Sequence, residues 1–202
     1  MKVIVAAFNY AAHNKAFNYP PDALKEPIVF IKPDSAILKN GKPFFIPDDL
    51  GRICYGMHLV AKVCRLGKDI PERFAYRYYD ELTVGVDFRA EDMLEKCRKE
   101  GLPWDMATGF DNSAVLGQFI PKEKVSDPQL SLHVDGEQLQ AGNISDALFS
   151  IDHIISYLSK LYTFKIGDLI YAGIPGNMTD AVINQHIEGY LNDEKLLDFH
   201  LR

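Results

Sequence analysis

The chain has 202 residues, of which 47% are hydrophobic and 25% are charged, and its formal net charge is −6. These values are typical of a soluble globular protein, and the acidic balance argues against a nucleic-acid or anionic-membrane partner, which would need a basic surface. The sequence has no apolar run of the roughly 18–20 residues that span a bilayer. Its 3 cysteines have no CxxC spacing, which favours reduced thiols and a cytoplasmic location over a disulfide framework or a zinc site.

Short β-branched and apolar segments predict strands in the first half of the chain. These segments cover residues 2–8, 28–32, 53–65 and 82–88. Residues 10–18 are expected to form a short helix or a lid, which the two following prolines interrupt. The pair Asn40-Gly41 predicts a hairpin turn. Residues 71–80 begin with proline and then place aromatic side chains at helical spacing, which predicts a helix.

The second half of the chain mixes helices and strands. The predicted elements are a helix over 91–99, a hairpin over 130–140, a helix over 145–162, a strand over 169–172 and closing strands over 183–201. The hairpin is expected to turn at Asp135-Gly136, and Asp146 is a candidate cap for the helix that follows it. Because strands outnumber helices, the pattern favours a β-rich α+β domain over a doubly wound α/β sheet.

Five segments resemble, in order and spacing, the motifs of one protein family. They read AAFNYAAHNK from residue 6, PIVFIKPDSAI from 27, LTVGVDFRAEDM from 82, GLPWDMATGFDNSAVLG from 101 and AGNISDALFSIDHIISYLSKLYTFKIGDLIYAGIPG from 141. The family is that of fumarylacetoacetate hydrolase, which includes acylpyruvate hydrolases, oxaloacetate decarboxylases and hydroxy-heptadiene-dioate isomerases. The resemblance implies a mixed β-sandwich roll in a single domain over residues 1–202, with a strand, lid and hairpin region to about residue 50 and the roll beyond it. It also implies a homodimer.

The family's chemistry uses Mg²⁺ or Mn²⁺, held by oxygen ligands, to grip the oxygens of a 2-keto or 1,3-diketo acid. The resemblance implies ligands from a Glu-x-Glu pair, whose side chains share one face of a strand, and from one aspartate. In this chain the two Glu positions match Gly56 and His58, and only Asp87 keeps its carboxylate. This set predicts a poor Mg²⁺ site, so Asp87 is either a residual metal ligand or a structural carboxylate. A softer site that adds Cys54 would have to bridge roughly 13 Å of extended strand to His58, which is too far for one ion.

Further candidate site residues follow from matching positions in the family. They are His13 and Lys32 as catalytic residues, Asn9, Tyr10, Thr108 and Ile174 as substrate-binding residues, and Asp87 and His58 as residual metal ligands. Thr108 stands where the family has a substrate-facing lysine, and Ile174 stands where it has a substrate-contacting threonine. His13 matches the histidine of a lid His/Glu dyad, but the glutamate position falls on Ala16. His13 is therefore either a general base or an ordinary loop residue.

Two functions remain open at this point. The first is a metal-dependent hydrolase, decarboxylase or isomerase of a small keto acid. The second is a non-catalytic or remodelled homologue that binds a small carboxylic or keto acid. The replacements at Gly56 and His58 favour the second, because a metal-dependent enzyme of this type should not tolerate both.

Overall fold

A computed structural model describes residues 1–11, 24–39 and 41–202 of the chain. The strands in these ranges are β1 (Val3–Ala7), β2 (Ile28–Lys32), β3 (Ile37–Leu38), β4 (Ile53–Val63), β5 (Tyr79–Ala90), β6 (Ala114–Leu116), β7 (Ile120–Pro121), β8 (Gln129–Val134), β9 (Glu137–Asn143), β10 (Leu169–Tyr171), β11 (Thr179–Asp180), β12 (His186–Leu191) and β13 (Glu194–His200). The helices are α1 (Glu72–Ala75), α2 (Glu91–Glu100), α3 (Asp105–Thr108) and α4 (Ile151–Ser159). Across these ranges every helix is too short or too polar to serve as a membrane span.

Two β-sheets organise the described chain. The larger sheet has the order β2-β1-β10-β4-β5-β6-β3, with β11 paired to β4 and β7 paired to β5, and the smaller sheet has the order β13-β12-β8-β9. Parallel pairing joins β1 to β10 and β3 to β6, whereas β4 and β5 are antiparallel over nearly their whole length. Both central strands are buried on both faces over most of their residues, which explains their nearly continuous apolar sequence.

The main core lies between the smaller sheet and one face of β4 and β5. Phe88 of β5 points into this core and stacks on Phe44, with ring centroids 3.8 Å apart. The two sheets approach so closely that a Cβ atom at Gly189 of β12 would lie 2.9 Å from Cγ2 of Val84. The opposite face of the larger sheet carries a second, smaller apolar cluster that includes Val60 and Tyr171. The candidate site lies on this second face.

The β-rich mixed fold expected from the sequence is confirmed, as is the hairpin between β8 and β9. Its turn residues Asp135 and Gly136 have φ angles of 53° and 85°, the positive values that a tight two-residue turn requires. The expected hairpin near Asn40-Gly41 is wrong. Strand β3 pairs in parallel with β6, and Phe44 forms a parallel bridge to the distant Leu201. Asn40 itself lies outside the described residues, as does the expected lid beyond residue 11.

Two predicted helices are shorter than expected. The helix over 71–80 is limited to α1, because β5 already begins at Tyr79. The helix over 145–162 begins only at Ile151, and Asp146 does not cap it. Ser150 is the cap, since its Oγ accepts a hydrogen bond from the backbone N–H of His153 at 3.1 Å. The helix cap therefore lies four residues after Asp146.

We expect Ser150→Ala to lower the free energy of unfolding by about 1 kcal/mol. The replacement removes the acceptor of an N–H group in the first helical turn, which has no partner within the helix. Asp146→Ala is the matched control, and it should change stability by less than about 0.5 kcal/mol. Urea denaturation followed by circular dichroism measures both variants. A larger loss for Asp146→Ala than for Ser150→Ala would contradict the cap assignment.

Candidate active site

Alternate residues of β4 and β5 line the face of the larger sheet that is turned away from the smaller sheet. In the antiparallel register Gly56 pairs with Asp87, and Cys54 pairs with Arg89. His58 lies two residues beyond Gly56 on the same face of β4. The register therefore assembles at one place the positions that the resemblance assigned to the metal.

Asp87 is the centre of a buried ion cluster. Its Oδ1 atom lies 2.5 Å from Nζ of Lys32, and its Oδ2 atom accepts a hydrogen bond from Nε of Arg89 at 2.7 Å. Nε2 of His58 lies 3.8 Å from the same Oδ2. Burial by itself would raise the pKa of Asp87, but the charges of Lys32 and Arg89 outweigh it and hold the pKa below its ordinary value. The carboxylate is therefore ionised at neutral pH and is neutralised by protein cations.

Lys32, a predicted catalytic residue, contacts both Asp87 and backbone oxygens through its ammonium group. It donates to the carbonyl oxygens of Phe88 at 3.0 Å and Ser113 at 2.8 Å, and it lies 3.1 Å from Oγ of Ser113. Its side chain is fully buried, and burial lowers the pKa of Lys32 to about 8 although Asp87 opposes the shift. These contacts make Lys32 a fixed counter-charge for Asp87.

His58 is a neutral member of the same cluster. Its Nδ1 atom accepts a hydrogen bond from the backbone N–H of Gly173 at 3.0 Å, so the proton of the neutral ring is on Nε2, which faces Asp87. The ring is fully buried and packs edge-on against Tyr171, with centroids 5.4 Å apart. Its position makes His58 a hydrogen-bonding core residue.

Ile174 fills the space that a side chain at position 56 would need. A Cβ atom built on Gly56 would lie 2.6 Å from Cδ1 and 2.9 Å from Cγ1 of Ile174. Ile174 is itself 3% exposed and cannot move out into solvent without opening the site. The positions that the resemblance assigns to the first metal ligand and to the pocket threonine therefore meet in space, because Ile174 occupies the volume beside Gly56.

The residues present do not fit a Mg²⁺ or Mn²⁺ ion. Such an ion requires about six oxygen ligands at close to 2.0–2.1 Å for Mg²⁺. In the described chain the cluster offers one carboxylate, that of Asp87, and two cationic side chains already lie within 2.7 Å of it. A divalent cation there would meet the repulsion of Lys32 and Arg89 at contact distance.

One other cluster in the described ranges has metal-ligand spacing. Its members His186, Glu188 and Asp198 lie on β12 and β13 of the smaller sheet, and their ligand atoms are within 4.8 Å of one another. Nζ of Lys195 lies 2.9 Å from Glu188 and 2.7 Å from Asp198. These carboxylates are thus already paired with a cation.

The remaining predicted residues have structural contacts where they are described. The side-chain amide of Asn9 accepts from the N–H of Phe149 at 2.8 Å and donates to the carbonyl oxygen of Ala172 at 2.6 Å, and it is buried. The hydroxyl of Thr108 donates to the carbonyl oxygen of Trp104, the residue before α3. Tyr10 is 2% exposed, and burial raises the pKa of its hydroxyl.

His13 lies outside the described residues, so its predicted role as a general base stays a prediction.

Arg89 is a site residue that is absent from the set predicted from the sequence. It lies two residues after Asp87 on β5, and its guanidinium carbon is 5.2 Å from the ring centroid of Phe30 on β2. The signal was present, because a charged residue two positions from a candidate ligand shares its face of the strand. Arg89 occupies the threonine position of the family's Asp-x-Thr-Ala-Arg-Asp element, so a cation stands beside the aspartate.

The fold and this cluster together define a β-rich roll whose central antiparallel strands carry a buried aspartate site. The chain belongs to the fumarylacetoacetate hydrolase family, since the model of the fumarylacetoacetate (FAA) hydrolase C-terminal region matches residues 2–201. It is 34% identical over 203 residues to the mitochondrial oxaloacetate tautomerase FAHD1 of Mus musculus, covering 99% of this chain and 91% of that protein.

Two further proteins are similar to this chain, one in sequence and one in structure. The oxaloacetate tautomerase YcgM of Escherichia coli is 35% identical over 178 residues, covering 86% of this chain and 80% of that protein. The crystal structure of fumarylpyruvate hydrolase from Pseudomonas aeruginosa in complex with Mn²⁺ and pyruvate superposes with a TM-score of 0.93. That match has 28% identity and covers 100% of this chain and 89% of the other.

We expect Asp87→Asn to lower the free energy of unfolding by about 3–5 kcal/mol, because it leaves Lys32 and Arg89 buried without their counter-charge. Asp180→Asn is the control. That carboxylate is 62% exposed and pairs with Arg52 at 3.0 Å, and its loss should cost less than about 1 kcal/mol. Urea titration measures both. Equal losses would show that Asp87 is not the anchor of the cluster.

Gly56→Ala is expected to destabilise the chain by about 1–3 kcal/mol, because the added methyl group overlaps Ile174. The loss should shrink in an Ile174→Ala background, which gives a double-mutant cycle with a non-zero coupling energy. Gly176→Ala is the matched control, since its nearest atom would lie 3.7 Å away. Additive effects of the two substitutions in the cycle would refute the proposed overlap.

Proposed function

We propose that this chain is a remodelled member of the family that binds a small carboxylic or keto acid without the family's divalent metal. The observation that carries the proposal is the state of Asp87, whose carboxylate is held by Lys32 and Arg89 at 2.5 and 2.7 Å. A second observation supports it, namely that Ile174 fills the volume beside Gly56. Both changes act against a cation at the same place.

The ligand class in this proposal comes from the relatives. Two of them are named oxaloacetate tautomerases, and a third was crystallised with pyruvate. Oxaloacetate and pyruvate are small 2-keto acids with at least one carboxylate. A site that keeps the family's fold and places two cations around one carboxylate suits an anionic ligand of this kind.

The alternative function is a metal-dependent hydrolase, decarboxylase or isomerase of a 2-keto or 1,3-diketo acid. Identities of 34% and 35% to proteins named as enzymes favour it. It requires a metal to bind beside Asp87, whereas the remodelled function does not. Metal binding therefore separates the two functions directly.

The homodimer and the cytoplasmic location expected from the sequence belong to this proposal as well. The three cysteines Cys54, Cys64 and Cys97 are all free thiols in the structure, which is compatible with a reducing compartment. Light scattering coupled to size-exclusion chromatography tests the dimer.

We expect the purified protein to contain substoichiometric Mg²⁺ and Mn²⁺, and calorimetric titration with MnCl₂ to show no binding at micromolar concentrations, even with oxalate present. The physical reason is the repulsion of a divalent cation by Lys32 and Arg89. Elemental analysis and calorimetry are the measurements.

The fumarylpyruvate hydrolase of Pseudomonas aeruginosa, which was crystallised with Mn²⁺, is the positive control for this titration. In a separate activity assay the protein is mixed with oxaloacetate and Mn²⁺, and turnover of oxaloacetate is followed by absorbance. Micromolar Mn²⁺ binding coupled to turnover of oxaloacetate would establish the alternative function in place of the proposed one.

A further inference from the structure

Arg89 has an unusual position for a cationic side chain. Its side chain is 7% exposed, and it lies on the site face of β5 between Asp87 and the end of the strand at Ala90. The ring of Phe30 covers one face of the guanidinium group, at 5.2 Å from its carbon to the ring centroid. The edge of the guanidinium plane, which carries Nη1 and Nη2, is not covered by this ring.

Only one of the three guanidinium nitrogens has a partner in the described chain. Nε donates to Asp87 at 2.7 Å, and no described residue accepts a hydrogen bond from Nη1 or Nη2. The side chain as a whole is 7% exposed. The four N–H groups of Nη1 and Nη2 therefore have no acceptor among residues 1–11, 24–39 and 41–202, although the arginine is more than nine-tenths buried.

The charge of the cluster is unbalanced. Lys32 and Arg89 contribute two positive charges and Asp87 contributes one negative charge, while His58 is neutral because its Nδ1 accepts a hydrogen bond. The net charge of +1 lies among residues that are at most 5% exposed. A buried charge is unfavourable unless it is paired, so the cluster is complementary to one added negative charge.

Two described carboxylates near Arg89, those of Glu91 and Asp180, do not supply that charge. Glu91 lies next along the chain from β5, and its Oε1 is 3.5 Å from Nη1 of Arg98. Asp180 of β11 pairs with Arg52 at 3.0 Å and accepts a hydrogen bond from the thiol of Cys54. Each of these acids is already partnered by another residue.

We infer that Arg89 binds the carboxylate of a small organic acid through Nη1 and Nη2, and that this guanidinium takes the place of a metal as the ligand-holding cation. The fork of N–H groups matches the two oxygens of a carboxylate, which favours a planar acid that accepts two parallel hydrogen bonds. This inference rests on the proposed function and adds the residue that recognises the ligand.

The experiment is calorimetric titration with oxalate and with pyruvate in buffer treated with a chelating resin. Oxamide, which keeps the shape of oxalate without its charge, is the ligand control. Wild-type protein should bind oxalate without added metal and should not bind oxamide. Arg89→Gln should weaken oxalate binding by at least about tenfold, because it removes charge-assisted hydrogen bonds.

Two further variants sharpen the test. Arg89→Lys keeps the charge but not the fork, and it should bind oxalate with intermediate affinity. Arg52→Gln removes an arginine whose side chain is 49% exposed and whose partners are Asp92 and Asp180, and it should bind oxalate as the wild type does. Thermal unfolding checks that each variant folds. If Arg89→Gln does not fold, Arg89→Lys and the oxamide comparison decide.

Each adverse outcome points to a different conclusion. Metal-free oxalate binding that Arg89→Gln leaves unchanged, or equal binding of oxamide, overturns the role of Arg89 and leaves the proposed function standing. Oxalate binding that requires Mn²⁺ overturns both. No binding of oxalate or pyruvate by the wild type overturns the inference, while the metal titration above still decides the absence of the metal.

Discussion

The buried carboxylate of Asp87 is the constraint on which the site depends. It lies at the centre of the larger sheet, it is fully buried, and it stays ionised because Lys32 and Arg89 contact its two oxygens. The backbone register of β4 and β5 then fixes what can lie opposite, which is Gly56. A charge in such a place must be matched by a cation, and in this chain the cations are side chains.

The replacements at this site are connected through space. Gly56 lacks a side chain, Ile174 occupies the volume beside it, and Arg89 supplies positive charge next to Asp87. Lys32 alone would balance the charge of Asp87, so Arg89 is the source of the extra positive charge. A side chain at position 56 would overlap Ile174. The volume beside Gly56 is therefore filled by packing, whereas the charge of the cluster stays one positive unit out of balance.

The sequence predicted much of the fold because its signals are local or ordered. The β8–β9 hairpin follows from an Asp-Gly turn, and α2 follows from a single amphipathic segment. Predicted helix boundaries were wrong where a segment pairs with a distant part of the chain. The apolar spacing over 145–162 suggested one long helix, but Tyr10 pairs with Ala147 in an antiparallel bridge, so the helix begins only after Ser150.

The sequence by itself determined the family, since that depends on which residues stand in ordered motifs. The same motifs predict that Gly56 and His58 stand at ligand positions and that Asp87 keeps its carboxylate. The tertiary structure decided what the replacements mean. Ile174 and Gly56 are far apart in the chain and meet only because β4 and the segment after β10 lie side by side. Likewise Lys32 reaches Asp87 only when the sheet is assembled. Side-chain volume and charge balance are properties of that assembled interior, and no local pattern records them.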